Sequence, residues 1–169
     1  KLVESGSASG NTFNIFVSHV HWDHICGFPF FVPAYIPGNI VRIHGCHAEL
    51  EAAFRRQQDA PSFPVRLDVM AADIEFVTLE TDRWYDIDGV SVKASLQHHS
   101  GDSYGYRFEH ADKSVIYSTD AEHKLESEDD TRTFVDFIEG ADLVIFDAMY
   151  SLADAISVKE DWGHSSNIV

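Results

Sequence analysis

The chain has 169 residues, of which 44% are hydrophobic and 24% charged. Those are the proportions of one ordinary globular domain, and they exclude disorder and fibrous repeats. Twelve basic against 28 acidic side chains give a formal charge of −16, a balance that argues against general nucleic-acid binding because phosphate neutralisation needs Lys and Arg.

No apolar run approaches the ~18 residues of a membrane helix. Two cysteines, Cys26 and Cys46, make no disulfide framework and read as reduced, mostly buried thiols of a cytoplasmic protein. Along the chain, Phe13–Ser18 reads as a buried strand leading into a His-rich loop. Ile40–His44 is a second strand. Ala48–Gln58 is a helix with Leu50, Ala53, Phe54 and Gln57 on one face and Arg55 and Arg56 on another. Pro61 and Pro64 mark a loop. Strands follow at Ile74–Leu79 and Trp84–Ile87, and Asp88-Gly89 turns the chain into Val90–His98. Tyr104–Glu109 and Ser114–Ser118 are strands joined at Asp112-Lys113. Thr131–Glu139 is a helix closed by Gly140, Asp142–Asp147 is a buried strand, and a last helix starts near Ser165. The pattern is α/β, with layered sheets and helices outside, and residues 1–169 form a single domain.

The chemistry is concentrated in Ser18-His19-Val20-His21-Trp22-Asp23-His24, four potential metal ligands within six residues directly after a strand. His19 and His21 are two apart, so at a strand end both lean to one side. Asp23 and His24 continue into a tight or first helical turn and face a second point nearby. Imidazole and carboxylate suit zinc, and also iron or manganese. Two such ions ~3.5–4 Å apart clamp the attacking and leaving oxygens of a hydrolysis. The aromatic run Phe28, Phe30, Phe31 and Tyr35 that follows is either core packing or the mouth of a pocket for a flat group.

The segment Ser18–His24 resembles the signature of the metallo-β-lactamase superfamily, and His19 to Phe28 is close to the form of its ribonuclease Z-like and phosphodiesterase-like branch. The resemblance implies an αβ/βα sandwich with a dinuclear metal site at one edge. Within Gln97-His98-His99-Ser100-Gly101-Asp102-Ser103-Tyr104-Gly105-Tyr106-Arg107 it implies His99 as the next ligand, with His98 a neighbour. Asp120, after Tyr117-Ser118-Thr119, is implied as the carboxylate bridging both ions. Glu122 and His123 are either partners of ligands or exposed residues of an acidic loop. Gly163-His164-Ser165-Ser166 resembles the segment in which the histidine contacts the scissile phosphate and protonates the leaving oxygen, with a serine capping the helix behind it.

Both ends depart from the family pattern. Only 18 residues precede His19, and the strand bringing the last ligand of the second metal is not in the 169 residues, so the chain reads as a fragment. The first site has His19, His21, His99 and Asp120. The second has Asp23, His24 and Asp120 unless His164 completes it, and partial occupancy there is expected. The reading is a metal-dependent hydrolase holding two divalent ions, zinc first, with manganese or iron as alternatives. An attacking hydroxide on those ions would be oriented by Asp23, which also takes up the proton. A small phosphodiester such as a cyclic nucleotide is the expected substrate, with no membrane partner and a homodimer as a possible assembly. Transfer-RNA processing is disfavoured because only 20 residues separate His99 from Asp120, too few for an RNA-gripping arm, and because of the charge. A dinuclear-iron sensor module is the alternative from another class, and a degenerate domain kept for protein contacts comes third.

Overall fold

The computed structural model describes residues 9–122, 128–149 and 164–165. It is mixed α/β and divides into two compact units, the first ending at Leu79 and the second starting at Glu80. Each unit has its own sheet. Among the described residues no helix is long and apolar enough to cross a membrane.

In the first unit β1 (Thr12–Phe16), β2 (Ile40–Gly45) and β3 (Asp73–Thr78) form a three-stranded sheet in chain order, every pair parallel. Parallel neighbours require crossover connections. The first runs through α1 (Trp22–Ile25) and two short 3-10 turns at Phe28–Phe30 and Val32–Tyr35, each with a proline where a missing N–H costs nothing. The second runs through α2 (Leu50–Gln57). On α2, Leu50, Ala53 and Phe54 recur at the spacing of one helical face and all three are buried, while Arg55 and Arg56 point to solvent. Phe54 is the hub of this core, 1% exposed, with ring centroids 5.0 Å from Phe28 and 5.6 Å from Phe76. Phe28 and Phe31 therefore belong to the core. Tyr35 ties its hydroxyl to the Pro29 carbonyl, and Phe30 alone of that run is largely exposed, edge-on to Phe63. Both cysteines are of intermediate burial, less covered than expected.

The second unit is a five-stranded sheet in the order β4 (Trp84–Ile87), β5 (Val90–Gln97), β6 (Ser103–His110), β7 (Lys113–Ser118), β8 (Leu143–Phe146). The first four strands are an antiparallel meander and β8 joins β7 in parallel. Asp88 and Gly89, at φ of 52° and 83°, make the twisted two-residue turn that matches a hairpin's own twist. The β6–β7 turn is Ala111-Asp112, one residue earlier than the sequence pattern suggests, because His110 pairs with Lys113 across the hairpin. The β7–β8 crossover contains α3 (Glu128–Ile138), which begins three residues before the expected Thr131. Its C-terminus is closed by Gly140 at φ 70° and by Arg107, whose Nη1 donates to the Phe137 and Glu139 carbonyls at 2.9 and 2.8 Å.

β8 is not the buried strand its composition suggests: Leu143, Val144 and Ile145 are 52%, 37% and 46% exposed. It lies at the sheet edge, so β7 is its one ladder neighbour among the described residues. The helix expected from Ser165 lies outside the described residues, as do His123, Gly163 and Ser166.

Two outcomes follow from this packing. Phe54→Ala removes the ring that joins Phe28 and Phe76 and should lower unfolding free energy by about 3–5 kcal/mol in urea titration. The Asp142 carboxylate is held below its ordinary pKa, first by the Ser114 backbone N–H and then by the Lys113 ammonium. A depressed carboxyl stabilises the fold above its unfolded value and loses that contribution as pH falls through the folded one. Asp142→Asn should therefore flatten the fall of thermal midpoint with acid below about pH 4, relative to wild type.

Candidate metal centre

The first cluster is built where β1 ends. Val17 donates to the His44 carbonyl at 2.8 Å, extending the β1–β2 ladder one residue past the strand, and the chain then turns through Ser18 and His19. His19 is 1% exposed, and its Nδ1 lies 3.1 Å from the Ser18 hydroxyl. A ring fixed at one nitrogen presents the other in a defined direction, which is how metal-binding imidazoles are oriented. The His21 and His24 rings close on it, with centroids 4.6 and 4.1 Å from that of His19. α1 accounts for this: its first turn, closed by the His24 amide on the His21 carbonyl at 3.1 Å, swings His24 back toward His19. Asp23, on the outer side of the same turn, has a side chain 74% exposed, with Oδ2 3.5 Å from His24 Nε2.

The second cluster lies where β5 and β7 end. After β5 the chain passes His98 and His99 and turns back into β6 through Ser100-Gly101-Asp102, closed by the Asp102 amide on the His99 carbonyl at 3.2 Å. His99 is 3% exposed at its side chain, whereas His98 is 66% exposed and stands 3.8 Å from the Glu122 carboxylate. Asp120 follows β7. Its Oδ1 accepts from the Thr119 hydroxyl at 3.1 Å, and its Oδ2 lies 3.9 Å from Nε2 of both His99 and His164. The ligand atoms of His99, Asp120 and His164 all fall within 4.8 Å of one another. Two ligands at ~2.1 Å from a tetrahedral zinc stand ~3.4 Å apart, so each 3.9 Å pair closes to that spacing by about half an ångström. Two imidazoles and a carboxylate at that spacing fit a divalent cation of the zinc type.

His164 is aimed by a residue that the sequence reading did not single out. Its Nδ1 lies 2.9 Å from Oδ2 of Asp147, leaving Nε2 on the Asp120 side. Asp147 follows β8 as Asp120 follows β7, and a carboxylate just past a strand end was the signal available. It also accepts from the Ala121 amide at 3.3 Å and the Met149 amide at 3.0 Å. Ser165, with Ser166 one of two serines expected to cap a helix, donates its hydroxyl to the Ala121 carbonyl at 2.5 Å.

A family model described as a beta-lactamase superfamily domain matches residues 12–167. The chain belongs to the metallo-β-lactamase superfamily. The match runs through both compact units and through all the clustered residues. Among curated relatives, the ribonuclease Z of Staphylococcus saprophyticus is 26% identical over 107 residues, which are 59% of this chain and 32% of the relative. The ribonuclease Z of Staphylococcus aureus is 28% identical over 105 residues, 58% of this chain and 31% of that protein. The chain thus spans about a third of the length of the curated relatives it matches. Unliganded yeast PDE1 is similar in fold, with a TM-score of 0.69 at 15% identity, covering 91% of this chain and 48% of that one. The short form of human tRNase Z gives 0.63 at 20% identity, over 91% and 64%.

Of the residues expected to act, the first unit brings together His19, His21 and His24 and leaves Asp23 outward. The second brings together His99, Asp120 and His164 and leaves His98 outward. Asp147→Ala strips three donors of their acceptor and should cost about 1–3 kcal/mol of stability in urea. Asp147→Asn, which keeps one carbonyl oxygen, should cost less.

Proposed function

We propose that this superfamily domain is the metal-dependent hydrolase part of a phosphodiesterase acting on a small phosphodiester such as a cyclic nucleotide. His19, His21, Asp23, His24, His99 and Asp120 would hold two divalent ions, zinc first. Bound there, such ions supply Lewis acidity and an acidified water, the chemistry of ester hydrolysis. The observation that carries the reading is the meeting of His99 with Asp120, with His164, aimed by Asp147, beside the same carboxylate at 3.9 Å.

The chain's own residues then divide the proton work. Asp23, with its side chain 74% exposed, takes the proton of the attacking water and returns it to solvent. His164 holds a proton at Nε2 for the leaving oxygen while Asp147 fixes the ring from Nδ1. Two features favour a small substrate over transfer RNA. A charge of −16 opposes a long polyanion. The connection from His99 to Asp120 is the β6–β7 hairpin with its two-residue turn, which leaves no room for an arm.

The test is metal content by plasma mass spectrometry on the full chain purified without added metal, with hydrolysis of bis-p-nitrophenyl phosphate measured on the same samples. Between one and two zinc or manganese ions per chain are expected, the second site filling in part. His99→Ala should lose metal, and Asp23→Ala should lose on the order of 10²-fold or more in turnover. Two irons without hydrolysis would replace the reading with a sensor module, and less than one ion with no turnover would overturn it.

A further inference from the structure

The two strands that deliver His99 and Asp120 are not neighbours, since β6 lies between β5 and β7. Adjacent strands are ~4.8 Å apart, so the ends of β5 and β7 stand almost 10 Å from each other. The β5–β6 ladder holds to its last residue, with Gln97 opposite Ser103. The β6–β7 ladder does not: its pairing stops at Tyr106 opposite Tyr117, and Ser118 has no ladder partner on β6.

The gap is spanned by a side chain. Gln97 Nε2 donates to the Ser118 hydroxyl across the intervening strand, and the two residues are 6% and 1% exposed. The amide passes over Gly105, which shares the Gln97 face because alternate residues of β6 point the same way and Ser103 stands opposite Gln97. A Cβ at residue 105 would sit 2.9 Å from Gln97 Nε2, 3.0 Å from its Cδ and 3.1 Å from the Phe137 ring of α3. Glycine thus makes the trough, Phe137 roofs it, and the amide lies between. One residue further along, the Glu122 amide donates to the His98 carbonyl at 2.8 Å. Asp120 stands between the two bridges, and His99 follows directly on them.

We propose that Gln97 is a positioning residue for the metal centre: its bond to Ser118 over Gly105 sets the separation of the strand ends that deliver His99 and Asp120. The proposal rests on the reading of His99 and Asp120 as metal ligands. It touches neither metal nor substrate and acts through geometry alone, so it shows in metal affinity before it shows in chemistry.

The experiment titrates zinc into the metal-stripped full chain in competition with a chromophoric chelator, and records the thermal midpoint of the metal-free chain beside it. Gln97→Met keeps length and volume but cannot donate; it should weaken zinc binding about tenfold. Ser118→Ala should do the same, and the pair combined should lose no more than either alone, as the two ends of one bond. Gly105→Ala, which drives a Cβ into the amide, should match them. Unchanged affinity in Gln97→Met and Ser118→Ala overturns the proposal, and so do losses that merely track a lowered metal-free midpoint. If Gln97→Met does not fold, Ser118→Ala, the deletion of one oxygen, decides alone. A wild-type chain that takes up no zinc overturns the reading of the site and the clamp with it. Tight zinc binding by wild type and variants alike overturns the clamp only.

Discussion

The hydrogen bond from the Glu122 amide to the His98 carbonyl is the constraint on which the second cluster depends. It joins two loops that the meander would otherwise hold only through their strands. Short of proline at residue 122, no substitution removes this main-chain bond, and neither group has rotamers to lose. With the loops fixed, the ligand side chains need only short adjustments to share an ion. The Ala121 carbonyl and amide, taken by Ser165 and Asp147, extend the same restraint to the segment that carries His164. A polypeptide that keeps three potential ligands close without covalent help has placed their supports on backbone atoms wherever it could.

The first cluster is supported differently. Its three imidazoles come from six consecutive residues, so local geometry does most of the ordering: a strand end, one turn of helix and the Ser18 hydroxyl suffice. The bond from Val17 to His44 ties the start of this run to the sheet. This difference explains what could be read without coordinates. The run from His19 to His24 is legible because its ligands are contiguous and follow an apolar strand. The strands of the second unit are legible because their alternation and turn residues are local signals.

What escaped the sequence is what depends on neighbours. The first turn of α3, Glu128 to Asp130, offers no apolar residue to extend the helical periodicity. β8 reads as buried because its side chains are apolar, while burial depends on what covers the two faces of the strand, which composition does not encode. Asp147 and Gln97 act across gaps of 17 and 21 residues, and although Gln97 opens the run that carries His99, nothing in that run points to its partner. Gly105 looks like an ordinary member of a strand until the amide that crosses it is seen. Shared faces and strand order decide these roles, and both are properties of the assembled sheet.

The exposed edge of β8 has a consequence for how the protein behaves at high concentration. Leu143, Val144 and Ile145 are exposed apolar residues at the edge of the sheet as described, and exposed apolar surface favours association between chains. The excess of 16 negative charges keeps such edges apart by repulsion between whole molecules. That protection is colloidal and depends on solvent. It fades as salt shortens the screening length to ~3 Å at 1 M and as acid brings the molecule toward its isoelectric point near 4.8. Acidic or concentrated-salt buffers, chosen for reasons unrelated to the metal site, would bring these edges into contact.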